Sequence, residues 1–239
     1  MVTKKQSTAA EAEKPAAKAA EGLIYVRQIR CRTVRIPLVG RTPLIMHNWS
    51  EKAKQAIRDK KSGKKPKGRE PCNPEQEFLD ALYFIGPKPK DFAEWKAKGP
   101  AAWRYGFPAV AFKAAIVDAA SQTADVTKVM LRGALHIFSA PPQSKDCAAW
   151  RADLVEVQGE PVMREDPVRL MGTAADLRYR PEFVSWRVDL PVTYNEDVLT
   201  AEMVANLANL GGFAVGIGEW RAEKNGMNGM FAVATEAVA

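Results

Sequence analysis

The chain has 239 residues, 46% of them hydrophobic, and a formal charge of +7. That is enough apolar material for one elaborated domain, and the charge favours a polyanionic partner. Three cysteines and two histidines are too few and too scattered for a disulfide framework or a zinc knuckle, and no apolar run reaches the ~20 residues of a membrane span. With no signal-peptide core at its start, a cytoplasmic protein is expected (host cytoplasm if phage-encoded), without metal or cofactor.

Residues 1–22 are dominated by Ala, Lys and Glu and are expected to form a disordered tail. Residues 23–239 are read as a single domain. Residues 23–39 read as a long strand in which Arg30 and Arg32 share a side with Val34, Ile36 and Leu38, so its first half is expected to project into solvent. Ser50 is placed to cap a helix running through Ile57. Over residues 51–70, nine basic side chains stand against three acidic ones, a local balance of +6, and Gly63, Pro66, Gly68 and Pro71 break any regular pattern. Residues 58–72 are therefore expected to be an inserted flexible loop that presents Lys60, Lys61, Lys64, Lys65 and Lys67 to phosphates. Within a second insertion, 73–105, Asn73-Pro74-Glu75 opens a helix with Phe78, Leu79, Leu82 and Tyr83 at helical spacing. Trp95 and Trp103 read as packing anchors.

Residues 107–122 form the clearest helix, with Pro108 at its start and Ala109, Phe112, Ile116 and Ala119 on one stripe. Residues 129–138 read as a strand holding His136 as a core histidine. A third insertion, 140–182, contains another strand over 154–163, interrupted at Gly159, and an irregular stretch over 165–181. Residues 183–192 then alternate, with Trp186, Val188, Leu190 and Val192 on one face and Ser185, Arg187 and Asp189 on the other, as a half-buried strand does. Thr200 caps a helix whose Met203, Val204, Leu207 and Leu210 face inward, and Gly211 stands at its C′ position. Short strands over 213–217 and 229–234 follow. Without insertions the order is strand, helix, strand, strand, helix, strand, an α+β fold of the RRM/ferredoxin-like βαββαβ type with long insertions.

Six of the sixteen glycines fall within residues 206–231, where they let the backbone approach a ligand or another backbone closely. No P-loop exists, and Gly216-Ile217-Gly218 lacks the third glycine of a dinucleotide fingerprint. Asp166, Asp176 and Glu182 sit beside arginines and read as ion pairs rather than metal ligands. Single-strand binding needs cations for phosphates and aromatic faces for bases. Arg178, Tyr179, Arg180 and Arg187 supply one such cluster; Trp220, Arg221 and Lys224 supply a second. The same residues are also readable as architecture, with Tyr179, Phe183 and Trp186 in the core and the arginines paired to Asp176, Glu182 and Asp189.

Three places resemble the RAMP superfamily, the RRM-like proteins that form the RNA-binding backbone and related subunits of CRISPR effector complexes. Arg41-Thr42-Pro43-Leu44-Ile45 is similar to the turn after that family's first strand. The run from Phe107 to Ala115 is similar to its helix opening, and Gly211 to Gly229 to its glycine-rich loop. The blocks VRL, DLRYRPEFVSW and GIGEWR are also similar to uncharacterised phage proteins. The chain departs from the RAMP pattern at Glu219, inside the glycine cluster, and after Lys113, where the usual glycine is missing. The resemblance implies that Lys113 approaches phosphate, that the loop with Gly216 and Gly218 lies against a bound strand, and that the basic loop from Lys60 to Arg69 acts as a thumb or finger. Some RAMP-like proteins are metal-independent endoribonucleases, for which His47 is the one candidate acid or base here.

The expected function is non-enzymatic binding of single-stranded DNA or RNA through its sugar-phosphate backbone, without sequence specificity. A homo-oligomer or filament along the strand is expected, as in phage single-strand binding or annealing; RNA binding in a CRISPR-related assembly obeys the same physics. The alternatives are a virion component or anti-defence decoy, and a nuclease built on His47.

Overall fold

The first strand, β1 (Cys31–Gly40), has an exposed N-terminal half and a buried C-terminal half in which Ile36 and Leu38 face the core. The exposed half is held by backbone pairing of residues 31–33 with residues 193–195, and charge adds to it: Arg30 Nε donates to Asp197 at 2.9 Å, and Arg32 lies 3.6 Å from Glu196. The computed structural model describes residues 26–64, 73–139, 153–170 and 174–235. The expected tail over 1–22, and the part of the basic loop that carries Lys65 and Lys67, lie outside the described residues.

After the two-residue β2 (Leu44–Ile45), Ser50 Oγ accepts from the Ala53 N–H and opens α1 (Glu51–Lys61), in which no side chain is buried. The helix runs four residues past Ile57, so Lys60 and Lys61 ride on it rather than on a loop. Two effects extend it: Lys54 pairs with Glu51 at 2.7 Å and Gln55 with Asp59 at 2.9 Å along the helix surface, and the basic last turn suits the negative end of the helix dipole.

Asn73 caps α2 (Pro74–Ala81), which buries Phe78 and Leu79 but ends before Tyr83 because Leu82 turns extended. Asp91 caps α3 (Phe92–Lys98). Its Trp95 packs edge-on against Phe78 and donates its indole N–H to the Tyr105 hydroxyl at 2.9 Å, so it is the packing anchor expected from the sequence. Tyr105 in turn donates to the Pro100 carbonyl at 2.8 Å. Burial pushes its phenol up to about 12. Since an unfolded tyrosine titrates near ~10, the stability this phenol contributes is complete below that value and lost between about pH 10 and pH 12. Tyr105→Phe is expected to flatten the alkaline limb of a urea-denaturation profile while costing ~1–2 kcal/mol at pH 7 through the orphaned indole N–H. An unchanged alkaline fall in the variant would assign the limb to another group.

Tyr105 opens β3 (Tyr105–Pro108), which leads into α4 (Ala109–Ala119) with Phe112, Ala115, Ile116 and Ala119 fully buried on one stripe. The next segment departs from expectation. Thr127 Oγ1 accepts from the Met130 N–H, so the chain forms α5 (Lys128–Ala134), and only β4 (Leu135–Ile137) is extended. His136 is half-buried rather than in the core.

The single strand expected around Gly159 is two. Gly159, at φ 141°, separates β5 (Leu154–Gln158) from β6 (Pro161–Leu170), and a Cβ there would stand 2.5 Å from the Ser185 carbonyl oxygen. Of the stretch expected to be irregular, residues 165–170 belong to β6 and residues 174–181 to β7 (Ala174–Phe183), which pairs with β6 in a ten-residue antiparallel hairpin. β8 (Arg187–Asn195) buries Val188, Leu190, Val192 and Tyr194 on one face. Thr200 then caps α6 (Ala201–Ala214), which contains Gly211 and Gly212 and ends at Val215. Gly211 is thus not a helix terminator; a Cβ on it would stand 2.8 Å from the Ala115 carbonyl oxygen, so it is where α6 presses against α4. The expected strand over 213–217 is the end of this helix and a turn, and β9 (Phe231–Val233) closes the order.

The fold is α+β. The main sheet runs β3-β5-β8-β1-β9, with β4 also paired to β8, and every pairing is antiparallel. β4 and β5 share one edge of β8. α4 and α6 enclose the core against one face, with Phe112 6.1 Å from Phe231 and 6.2 Å from Phe107. The other face carries Thr33, Arg35, Arg187, Asp189 and Thr193; Arg35 pairs with Asp189 at 3.0 Å. The one aromatic residue in β1 and β8, Tyr194, is buried on the opposite side. A second sheet, β2-β7-β6, carries the long hairpin.

Candidate functional site

Residues 215–230 wind back across the turn that follows β1. Glu219 N–H donates to the Ile45 carbonyl at 3.1 Å, Gly229 N–H to Pro43 at 2.7 Å, and Arg41 N–H to Met230 at 2.8 Å. These bonds make the glycine-rich stretch a fixed platform. It forms one wall of a cleft of about 350 Å³, whose other walls are α4, the end of β3 and the segment around His47. Pro108, Ala111, Ala115 and Ile217 give the cleft an apolar floor, and His47, Tyr83 and Glu219 gather at its margin.

His47 Nδ1 lies 3.2 Å from Glu219 Oε1, and Glu219 Oε2 lies 3.8 Å from Arg180. The hydrogen bond with His47 holds the Glu219 carboxyl below the usual range, with burial opposing it and Arg180 adding to it. The Tyr83 hydroxyl donates to the His47 carbonyl at 3.4 Å. Its phenol is pushed up by burial first and by the Glu219 charge second.

Beside this group, the hairpin places Arg164 directly opposite Arg180 and Asp166 opposite Arg178. Both facing guanidiniums lie against the Trp220 ring, 5.6 Å and 5.0 Å from its centroid. Like charges across a strand pair repel. Here Arg164 binds Asp166 at 2.8 Å and Glu182 at 2.7 Å, and the indole supplies cation–π attraction. Arg180 is only 4% exposed; burial lowers its pKa, and its NH1 has no hydrogen-bond partner among the described residues. Trp220 reaches this position with φ 50°, a left-handed conformation that bulky residues rarely adopt.

The residues singled out in the sequence therefore separate into distinct places. Arg178, Tyr179 and Arg180 lie on β7, and Trp220 joins them, so the two sequence clusters meet where Arg180 packs on Trp220. Arg221 and Lys224 turn to Glu223, at 2.8 Å and 3.4 Å. Gly216 is buried and Gly218 half-buried; a Cβ on Gly218 would stand 2.6 Å from the Ile45 carbonyl oxygen. Lys113 donates to the Arg132 carbonyl at 2.9 Å and lies 3.3 Å from His136 Nδ1, and burial lowers its pKa. Arg187 is exposed at the start of β8. Lys60 and Lys61 are exposed on α1, and Lys64 lies 3.5 Å from Asp59.

Sequence reasoning missed Arg164, Tyr83 and the partnership of Glu219 with His47. Only Glu219 left a signal, as the acidic residue inside a glycine cluster. Among the described residues, no group of three or more His, Cys, Asp or Glu side chains is gathered to hold a metal ion, and no helix is long and apolar enough to cross a membrane. In comparisons with known proteins, the chain matches no family model and no curated protein.

Proposed function

We propose that this chain binds single-stranded nucleic acid through the sugar-phosphate backbone, without reading sequence and without catalysis, and that copies assemble side by side along the strand. The observation that carries this reading is α1. Eleven residues are short for a helix that stands on propensity alone, yet none of its side chains is buried, and it presents Lys52, Lys54, Arg58, Lys60 and Lys61 against Glu51 and Asp59. Lys54, Arg58 and Lys61 recur at i, i+4 and i+7 on one side of the helix, where Glu51 lies 2.7 Å from Lys54 and 4.0 Å from Arg58 and the stripe keeps a net positive charge. A surface of this kind is complementary to a row of phosphates. The aromatic-free outer face of β1 and β8 supports backbone gripping rather than base stacking on the sheet.

The fold reading that accompanies it is a ferredoxin-like βαββαβ core related to the RAMP superfamily. It is supported by the path β1, α4, β4/β5, β8, α6, β9 and by the spatial order β9-β1-β8-β5 with antiparallel neighbours throughout. Within that reading, phage single-strand binding or annealing is the role proposed. Fluorescence anisotropy with labelled 30-nucleotide strands of scrambled DNA and RNA at 50 mM NaCl tests it. Comparable binding to all sequences is expected; absence of binding to every strand overturns the proposal.

The pairing of His47 with Glu219 favours a second reading, metal-independent RNA cleavage. A carboxylate on Nδ1 orients the imidazole and leaves Nε2 as the working nitrogen. His47 would take the 2′-hydroxyl proton, the 2′-oxygen would attack the adjacent phosphorus, and the 5′-oxygen would leave with a proton from water. Structured RNA incubated in EDTA would then be cut by the wild type and not by His47→Ala; RNA left intact by both ends this reading.

A further inference from the structure

We infer that Trp49 is the base-stacking platform of this protein, with the α1 cations gripping the phosphates beside it; this rests on the single-strand-binding reading. Stacking requires an indole or phenyl face open to solvent. Trp220, the candidate from sequence, has two guanidiniums against its ring. The aromatic side chains that stand open among the described residues are Trp49, 56% exposed, and Phe213, 69% exposed. Phe213 lies near the end of α6, in a stretch of chain without cations between Asn209 and Ile217. Trp49 immediately precedes the Ser50 cap of the basic helix, with Lys52 three residues on.

The placement of Trp49 is also firm. Met46 N–H donates to the Pro181 carbonyl at 3.0 Å, Asn48 N–H to Ala81 at 3.0 Å and Asn48 Nδ2 to Leu82 at 3.3 Å, which fixes the chain up to the residue before the indole. The Ser50 cap fixes the chain on its other side. The backbone on either side of the indole is thus already ordered, so a stacking base costs the ordering of the Trp49 side chain alone. From there the helix extends ~15 Å to Lys60 and Lys61 at a rise of 1.5 Å per residue. A strand that stacks one base on Trp49 therefore meets successive cations along its backbone.

The occupant that fits is a single strand rather than a duplex, because only an unpaired base offers its face. The test is anisotropy with a labelled single-stranded 30-mer and an abasic strand of equal length at 50 mM NaCl, for wild type, Trp49→Ala and Trp49→Phe. Stacking at ~1–3 kcal/mol per base predicts that Trp49→Ala weakens binding to the base-bearing strand by roughly 5- to 150-fold. Trp49→Phe should retain most of the affinity, and all three proteins should bind the abasic strand alike. Thermal unfolding should be unchanged, since the side chain is not buried. If the wild type binds and Trp49→Ala binds the base-bearing strand as tightly as the wild type does, stacking at Trp49 is overturned while strand binding stands. If the wild type binds neither strand, the binding reading itself falls and this inference with it.

Discussion

Replacing Gly229 with alanine is expected to destabilise the fold by ~3 kcal/mol or more. Gly229 has φ 65°, and a Cβ there would stand 1.7 Å from the Ile217 carbonyl oxygen, a backbone atom that cannot rotate aside. The surrounding chain cannot shift without breaking other bonds. Gly229 N–H is held by Pro43 at 2.7 Å, and its carbonyl accepts from Ile217 N–H at 2.9 Å. Movement there would also disturb β9, whose Phe231 is fully buried against Phe112 and Trp186. Gly133, in α5, is the matched control: a Cβ there meets nothing within 4 Å, so Gly133→Ala is expected to be neutral or to stabilise by up to ~1 kcal/mol. Urea denaturation of the two variants checks both. A Gly229→Ala midpoint equal to that of the wild type would mean that the platform is looser than its bonds indicate.

The second large effect is expected on binding. Arg58→Ala, Lys60→Ala and Lys61→Ala together remove three cations from the last turn of α1, where no side chain is buried. Alanine also preserves helix propensity. Each cation withdrawn from the phosphates of a single strand lowers the salt slope by ~0.7, so the triple variant should show a slope shallower by about two units and an affinity weaker by on the order of 100-fold at 50 mM salt. Its melting temperature should fall only slightly, because the charge–dipole contacts of the last turn are lost but no side chain of α1 is buried. Affinity and slope both unchanged would place the phosphate path elsewhere on the surface.

What the sequence made legible depended on whether an apolar period survived. β8, α4 and α6 each keep one, and alternation or stripe located them to within a few residues; β1 keeps one only over its buried half, so its expected start at residue 23 fell eight residues before the observed Cys31. The β6–β7 hairpin has no such period because one of its faces carries Arg164, Asp166, Arg178 and Arg180, with Asp166 5% and Arg180 4% exposed. Burial of charges reads in sequence as irregular surface. The apolar run VMLRGALHIF suits a strand throughout, and the Thr127 cap tips its first half into α5. Gly211 misled for another reason: glycine's helix-stopping role and its close-packing role look alike until α4 is seen beside it.

The site was less legible than the fold because its members are remote in sequence. His47 and Glu219 are 172 positions apart, and Arg180 on β7 meets Trp220 only after β8 and α6 have intervened. No local spacing encodes such pairs. The basic stripe was visible as composition, but its presentation on a helix was not, because the glycines and prolines after Lys61 concealed where the helix ends. The exposure of Trp49, which separates a stacking face from a core anchor, is a property of the packed chain alone.

The most direct test of the central claim is the salt dependence of single-strand binding by the wild-type protein, measured by anisotropy from 50 to 400 mM NaCl on two strands of unrelated sequence. Phosphate gripping predicts that log Kd rises linearly with log salt concentration, with the same steep slope for both strands. Either no binding at 50 mM or an affinity indifferent to salt would contradict it.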